Sequence, residues 1–172
     1  MRIRSPALFL DRDGVINEDF GYVHRPEDTV FIPGIFDLVR ASNSYGYKVV
    51  VVTNQAGIGR GYYTETDFNE YMNWQKEQFL KRGARIDAVY YCPHHPLYGV
   101  GKFKVSCNCR KPMPGMLARA AEEVGIDISG SLMVGDKESD LLAGINAGLV
   151  INQCFKISSP ADFHVIATHL QC

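Results

Sequence analysis

The sequence has almost no net charge, with 18 Lys and Arg against 19 Asp and Glu leaving −1 over 172 residues. That balance removes the electrostatic case for nucleic acid or an anionic membrane as partner. Long apolar runs are missing too. None approaches the ~20 residues of a membrane span, and Met1-Arg2-Ile3-Arg4 leads only into a short apolar stretch, so neither a transmembrane helix nor a signal peptide is expected. There is no internal repeat and no low-complexity segment. A disulfide framework is also absent. Five cysteines are an odd number, and Cys92, Cys107 and Cys109 fall within eighteen residues, which favours a metal site in a reducing cytoplasm.

What is present suits one soluble globular domain spanning 1–172. A chain of this size buries roughly 70% of its unfolded surface, so it needs no disulfides to hold a core. Short apolar, β-branched runs at 7–10, 48–52, 88–91, 131–134 and 149–152 read as strands buried on both faces. Helical patterns lie between them. Ile35, Leu38 and Val39 form a stripe that Gly46 ends. Thr64 and Asp67 make a capping box before Phe68, Tyr71, Met72 and Phe79, with Gly83 as the stop. Met116, Leu117, Ala120, Ala121 and Val124 repeat the pattern up to Gly125, and a last helix over 141–147 ends at Gly148. This alternation predicts an α/β fold, a Rossmann-like parallel sheet with helices on both faces. The segment 92–109 fits neither period and reads as an inserted loop. The tail from Phe155 has no clear pattern.

Ligands of open parallel sheets sit beyond the carboxyl ends of the strands. Here those ends carry Asp11-Arg12-Asp13-Gly14, Thr53-Asn54 and Gly135-Asp136-Lys137. Each alone is ordinary, since Asp-x-Asp-Gly marks many turns and Thr-Asn many helix caps. Their coincidence at three strand ends is not. Converging carboxylates need a cation, and hard oxygen ligands point to Mg²⁺. With such an ion, Asp11 could attack a phosphate ester and form an aspartyl phosphate, while Asp13 serves as acid and then base. Thr53, Asn54 and Lys111 would steady the transferred group.

A second constellation is Cys92-Pro93-His94-His95 with Cys107-Asn108-Cys109. Three thiolates and one imidazole suit a structural, tetrahedral Zn²⁺ with no open position. The spacing does not choose between His94 and His95. Because Cys109 precedes Arg110-Lys111, fixing this zinc loop, 92–109, also aims two cations. Other features read plainly. Gly57-x-Gly59-x-Gly61 suits a flexible substrate loop, Trp74 packs, Cys154 and Cys172 are unpaired thiols, and His164 and His169 belong to no cluster.

These motifs, with Lys111 and Asp140, resemble those of the haloacid dehalogenase superfamily of phosphatases. Segments 10–17, 21–24, 50–61, 90–96, 107–117 and 133–137 resemble, more closely, the heptose bisphosphate phosphatases of its histidinol-phosphatase-like subfamily. The likeness spans about residues 7–150 and is weakest in the tail. It implies a cytoplasmic, Mg²⁺-dependent enzyme that removes the 7-phosphate of D-glycero-D-manno-heptose 1,7-bisphosphate during ADP-heptose synthesis for lipopolysaccharide. By position it makes Asp11 the nucleophile and Asp13 the acid/base, with Thr53 and Lys111 on the phosphoryl group. Mg²⁺ falls to Asp11, Asp136 and the Asp13 backbone carbonyl. Substrate contacts fall to Asp19, Phe20, Gly21, Tyr22, Asn54, Gln55, Ala56, Arg110 and Lys137, the last beside the metal site, and zinc to Cys92, His94, Cys107 and Cys109. Val15, Ala56 and Gly59 depart from the family pattern. The partner is a small sugar phosphate, and a monomer is the expected state.

Two rivals share parts of this pattern. Histidinol-phosphate phosphatases have the same acids and a similar zinc loop, but Gly21-Tyr22-Val23-His24 and Gly59-Arg60-Gly61 favour the heptose family. A receiver-like phospho-switch needs an acceptor Asp after the third strand, where this chain has Tyr91-Cys92-Pro93.

Overall fold

The computed structural model describes residues 4–170, so Cys172 lies outside the described residues. Five parallel strands form its centre: β1 (Ala7–Leu10), β2 (Lys48–Asn54), β3 (Ala88–Cys92), β4 (Leu132–Gly135) and β5 (Cys154–Lys156). Their order is β3-β2-β1-β4-β5, so the first strand is the middle one. Side chains alternate between two cores because successive strand residues face opposite ways. Leu8, Leu10, Val49, Val51 and Val134 face one helical layer, whereas Ala7, Phe9, Val50, Val52 and Met133 face the other.

The helices are α1 (Ile35–Ser44), α2 (Ala56–Gly59), α3 (Glu65–Leu80), α4 (Gly115–Ala120), α5 (Glu138–Ala147) and α6 (Asp162–Ala167). Apolar faces of α1, α3 and α6 fill the first core, and those of α4 and α5 the second. The α3 capping box is formed: the Asp67 N–H donates to Thr64 Oγ1 at 3.1 Å, and the Thr64 N–H to Asp67 Oδ2 at 2.7 Å. A π-helical turn, Ala121–Gly125, extends α4 as far as the apolar pattern ran. The α5 helix starts at Glu138, before the expected 141, because Asp140 caps its first turn.

Two expectations need correction. The run 149–152 is not the fifth strand. After Gly148 the chain makes a 3₁₀ turn, Ile151–Gln153, with Val150 and Ile151 turned to solvent, and pairing begins only where Cys154 meets Met133. Apolar character alone does not make a strand where the neighbouring strand offers no register. The Gly57–Gly59 stretch is not a flexible loop either. It is buried in α2, and a Cβ on Gly59 would lie 2.3 Å from the Pro93 carbonyl oxygen.

The unread tail is part of the core. The backbone N–H groups of Ser158 and Ser159 donate to Asp162 Oδ2 at 2.7 and 2.9 Å and start α6, whose Phe163 and Ile166, with Leu170 beyond, pack towards α1. The segment 92–109 is irregular apart from one 3₁₀ turn, Gly101–Phe103. The chain runs from β1 outward through β2 to β3 and then returns to β4 on the opposite side of β1. A crevice therefore opens between β1 and β4, the topological switch point.

Candidate active site

Asp11 leaves β1 at this crevice, its N–H donating to the Val134 carbonyl at 3.0 Å. Its carboxylate meets the Lys111 ammonium at 2.8 Å, and the same ammonium reaches Asp140 at 2.7 Å and the Val52 carbonyl at 2.8 Å. All three side chains are buried. Burial pulls the Lys111 pKa down, but Asp11 and Asp140 outweigh it and the ammonium is held charged. The backbone of Lys111 is fixed as well: Asn54 donates to its carbonyl at 3.2 Å and accepts from its N–H at 3.0 Å. Asn54, expected to touch substrate, has its side-chain amide paired with Lys111.

Two glycines make this possible. Gly14 has a left-handed φ of 84°, and a Cβ there would overlap the Asp136 carboxylate at 2.3 Å. A Cβ on Gly135 would lie 2.2 Å from that of Asp140. The glycines of both acidic motifs thus clear the path by which the carboxylates reach the site.

Oxygen atoms of Asp11, Asp136 and Asp140 lie within 4.8 Å of one another. Asp140 is occupied, with one oxygen on Lys111 and the other accepting from the Lys137 N–H at 3.0 Å. Asp136 Oδ1 is buried without a partner. Burial raises the Asp11 carboxyl, although Lys111 pulls against it. Asp136 is pushed up to about 6 by burial and by the charge of Asp11. The cluster is short of positive charge, and the free Asp136 oxygen beside Asp11 suits a hard divalent cation.

Asp13 belongs to a different cluster. Its carboxylate accepts from Arg12 Nη2 at 2.8 and 2.9 Å, from Asn17 at 3.1 Å and from Gln55 at 3.1 Å. It is absent from the group of acids that could share an ion, which leaves its backbone carbonyl as the candidate ligand. Arg12 is fully buried, lying 5.1 Å from the Tyr71 ring centre and bonded to the Val23 carbonyl. Gln55 also donates to Thr53 Oγ1 at 2.8 Å and accepts from the Tyr63 hydroxyl at 2.5 Å. Burial pushes the Tyr63 phenol up, so it stays a donor. Sequence reasoning did not reach Arg12 or Tyr63 as site residues. A cation between two acids was the available signal for Arg12, and Tyr63 had none.

A cleft of about 520 Å³ opens over both clusters, lined by Asp11, Asp13, Asp19, Gly21, Tyr22, Asn54, Gln55, Ala56, Tyr63, Arg110, Lys111, Lys137, Ser139 and Asp140. Lys137 and Asp19 pair across its rim at 3.3 Å. Tyr22 holds a positive φ of 55°. Phe20 is turned outward, 66% exposed, on a separate shallow groove.

Cys92, His94 Nδ1, Cys107 and Cys109 form the second cluster, with contacts of 3.1–3.6 Å. A tetrahedral zinc with ~2.3 Å bonds to sulfur has edges of about 3.8 Å, so the four ligand atoms are near that size. His95 is excluded from it, since its Nδ1 accepts from the N–H groups of Leu97 and Tyr98 at 3.2 and 3.1 Å. Burial pushes the Cys92 thiol up, so a cation is needed to hold it as thiolate. Arg110 leaves this cluster and donates to the His94 carbonyl at 3.3 Å.

The raised Asp136 pKa sets a test. Between about pH 4 and 6 the metal-free native state keeps a proton that the unfolded chain has lost, so stability falls as pH rises through that window. A cation binds the ionised acids. MgCl₂ should therefore raise the melting temperature of EDTA-treated protein more at about pH 7.5 than at about pH 4.5. Equal shifts at both would show that these acids do not bind the ion.

Comparison with known proteins agrees with this geometry. A HAD-hydrolase-like family model matches residues 108–151, the stretch from Asn108 to the end of α5 and just beyond. The D-glycero-alpha-D-manno-heptose-1,7-bisphosphate 7-phosphatase of Burkholderia mallei is 54% identical over 147 residues, covering 86% of this chain and 78% of that protein. The D-glycero-beta-D-manno-heptose-1,7-bisphosphate 7-phosphatase of Vibrio cholerae is 48% identical over 84% of this chain and 78% of its own. The D,D-heptose 1,7-bisphosphate phosphatase of B. bronchiseptica, solved with magnesium and phosphate, superposes with a TM-score of 0.75 at 32% identity, covering 84% of this chain and 78% of that one. With identity at this level across most of its length, the chain belongs to the heptose 1,7-bisphosphate 7-phosphatase family of haloacid dehalogenase-like phosphatases.

Proposed function

We propose that the chain hydrolyses the 7-phosphate of D-glycero-D-manno-heptose 1,7-bisphosphate by way of an aspartyl phosphate on Asp11. The observation that carries this reading is the Asp11–Lys111 pair, buried at the switch point of a chain this similar to heptose bisphosphate phosphatases. In the first step an Asp11 oxygen bonds to phosphorus and the bond to the sugar oxygen breaks, with Asp13 giving its proton to the leaving alkoxide. In the second, Asp13 takes a proton from water as that water attacks the same phosphorus, which frees Asp11 and phosphate. Lys111 and the Thr53 hydroxyl hold the transferred group through both steps. Asp11, Asp136 and the Asp13 carbonyl would hold Mg²⁺, which offsets the repulsion between a carboxylate and a phosphate dianion. Arg110, Lys137, Asp19, Gly21 and Tyr22 grip the rest of the substrate from the cleft wall, with Phe20 turned away from it. The same reading places the enzyme in the cytoplasm, working as a monomer.

The Cys₃His cluster takes a structural Zn²⁺ in this reading, and its task is to fix the backbone that presents Arg110 and Lys111. Purified protein should carry zinc. Cys107→Ser should lose it, keep the sheet folded because strands and helices outside the loop supply most of both cores, with Cys92, Cys107, Cys109 and Phe103 as the loop's share, and turn over heptose bisphosphate more slowly. Zinc-free protein working at full rate would make the loop an ordinary insertion.

Phosphate release tests the function directly. Because relatives' names include both the alpha and beta forms, the substrates are both anomers of heptose 1,7-bisphosphate together with histidinol phosphate, each with and without Mg²⁺. The highest kcat/KM should fall on a heptose bisphosphate and require Mg²⁺. Asp11→Asn should lower turnover by roughly 10³-fold or more, as expected when a nucleophile is removed. A preference for histidinol phosphate, or near-normal turnover by the Asn variant, would overturn this assignment.

A further inference from the structure

Gln55 sits between two residues of the proposed chemistry, and the direction of its hydrogen bonds follows from their donor and acceptor capacities. Asp13 Oδ2 already accepts from Arg12 Nη2 at 2.9 Å, and in the ionised form, before it takes up the proton it will deliver, Asp13 can only accept, so the end of the Gln55 amide facing Oδ2 at 3.1 Å is the NH₂ end. The same nitrogen donates to Thr53 Oγ1 at 2.8 Å. A hydroxyl has one proton, and with Gln55 serving its oxygen as donor, the Thr53 proton is left to point at a phosphoryl oxygen. The carbonyl end of Gln55 must then find a donor, and the Tyr63 hydroxyl supplies it at 2.5 Å. If the amide flipped, its oxygen would face the Asp13 carboxylate, acceptor against acceptor.

Tyr63 is itself held from two sides. Its ring stacks on His24 at 4.4 Å, with the planes 14° apart. On the other side, a Cβ at Gly57 would come within 2.4 Å of the ring and 2.7 Å of the hydroxyl oxygen. Gly57 therefore provides the space through which the phenol reaches Gln55. Both Gln55 and Tyr63 are buried.

We propose that Tyr63 is a positioning residue whose hydroxyl locks the Gln55 amide in the one orientation that donates to both Asp13 and Thr53. One phenol thereby sets the acid/base carboxylate and the phosphoryl-holding hydroxyl together. This rests on the reading of Asp13 as acid/base and of Thr53 as a phosphoryl contact. Without the hydroxyl, both amide orientations are populated, and the flipped one weakens the Thr53 contact for any phosphoryl group and also misaligns Asp13, which costs most where an alkoxide must be protonated.

Tyr63→Phe keeps the ring and its stack on His24 while removing the lock. Single-turnover bursts are measured with heptose bisphosphate, whose alkoxide needs a proton on leaving, and with an aryl phosphate, which does not. The burst rate should fall about tenfold on the sugar and about threefold on the aryl ester, consistent with loss of one buried hydrogen bond. With enzyme in excess, the single-turnover amplitude, the concentration that half-saturates the single-turnover rate and the melting temperature should stay at wild-type values. Gln55→Leu should exaggerate the same pattern. Burst rates within about twofold of wild type on both substrates would overturn the proposal, as would a loss explained by a lower burst amplitude or melting temperature. Asp13→Asn, measured alongside, separates the two layers. If it discriminates between the substrates while Tyr63→Phe is silent, the lock alone fails. If Asp13→Asn hurts both equally, the acid/base role fails and takes this proposal with it.

Discussion

The buried ammonium of Lys111 is the interaction on which the site depends. A lone charge taken out of water costs several kcal/mol, and it is tolerated here because Asp11, Asp140 and the Val52 carbonyl surround it. Each neighbouring feature serves that arrangement. Asn54 clamps the Lys111 backbone, Gly135 admits Asp140, and the cysteine cluster ends one residue before Arg110. Lys111 inside the cluster and Lys137 at its rim do not neutralise three carboxylates, and the deficit beside Asp136 is what a divalent ion would fill.

Two carboxylates only two residues apart are thereby given different surroundings. Asp11 faces Lys111 and the other acids, whereas Asp13 is turned to Arg12, Asn17 and Gln55. Environment rather than residue type is what sets the proposed nucleophile apart from the proposed proton carrier, as in other paired-carboxylate sites. The division is carried by two separate buried cations: Lys111, which arrives from the end of the cysteine loop, and Arg12 from the motif itself. Gln55 links Asp13 to Thr53.

Much of this was legible in the sequence, for a physical reason. Strands buried on both faces must be continuously apolar, so β1, β2 and β4 stand out, while the half-buried edge strand β3 shows by its Val and Tyr residues, and an abrupt polar residue at the end of such a run marks the functional edge of the sheet. Asp11, Thr53 and Asp136 were visible in that way. The 149–152 run failed because Val150 and Ile151 are apolar yet exposed. The spacing of Phe163, Ile166 and Leu170 is helical, but α6 is too short for periodicity alone to declare it. The polar network around Asp13 was out of reach, since Gln75 to Asn17 and Gln55 to Asp13 are pairings made only by the fold. His94 and His95 are equivalent by spacing, and the fold tells them apart: His94 Nδ1 lies against Cys92 and Cys109, whereas His95 bonds the loop backbone.

The central claim is that the carboxylate held by Lys111 accepts the phosphoryl group. Rapid acid quenching of wild-type protein during turnover of heptose 1,7-bisphosphate with Mg²⁺, followed by peptide mapping in a mass spectrometer, tests it most directly. The account predicts a phosphoryl adduct on the peptide carrying Asp11, at that residue. An adduct on Asp13 or Asp136 instead, or turnover that proceeds with none at all, would contradict it.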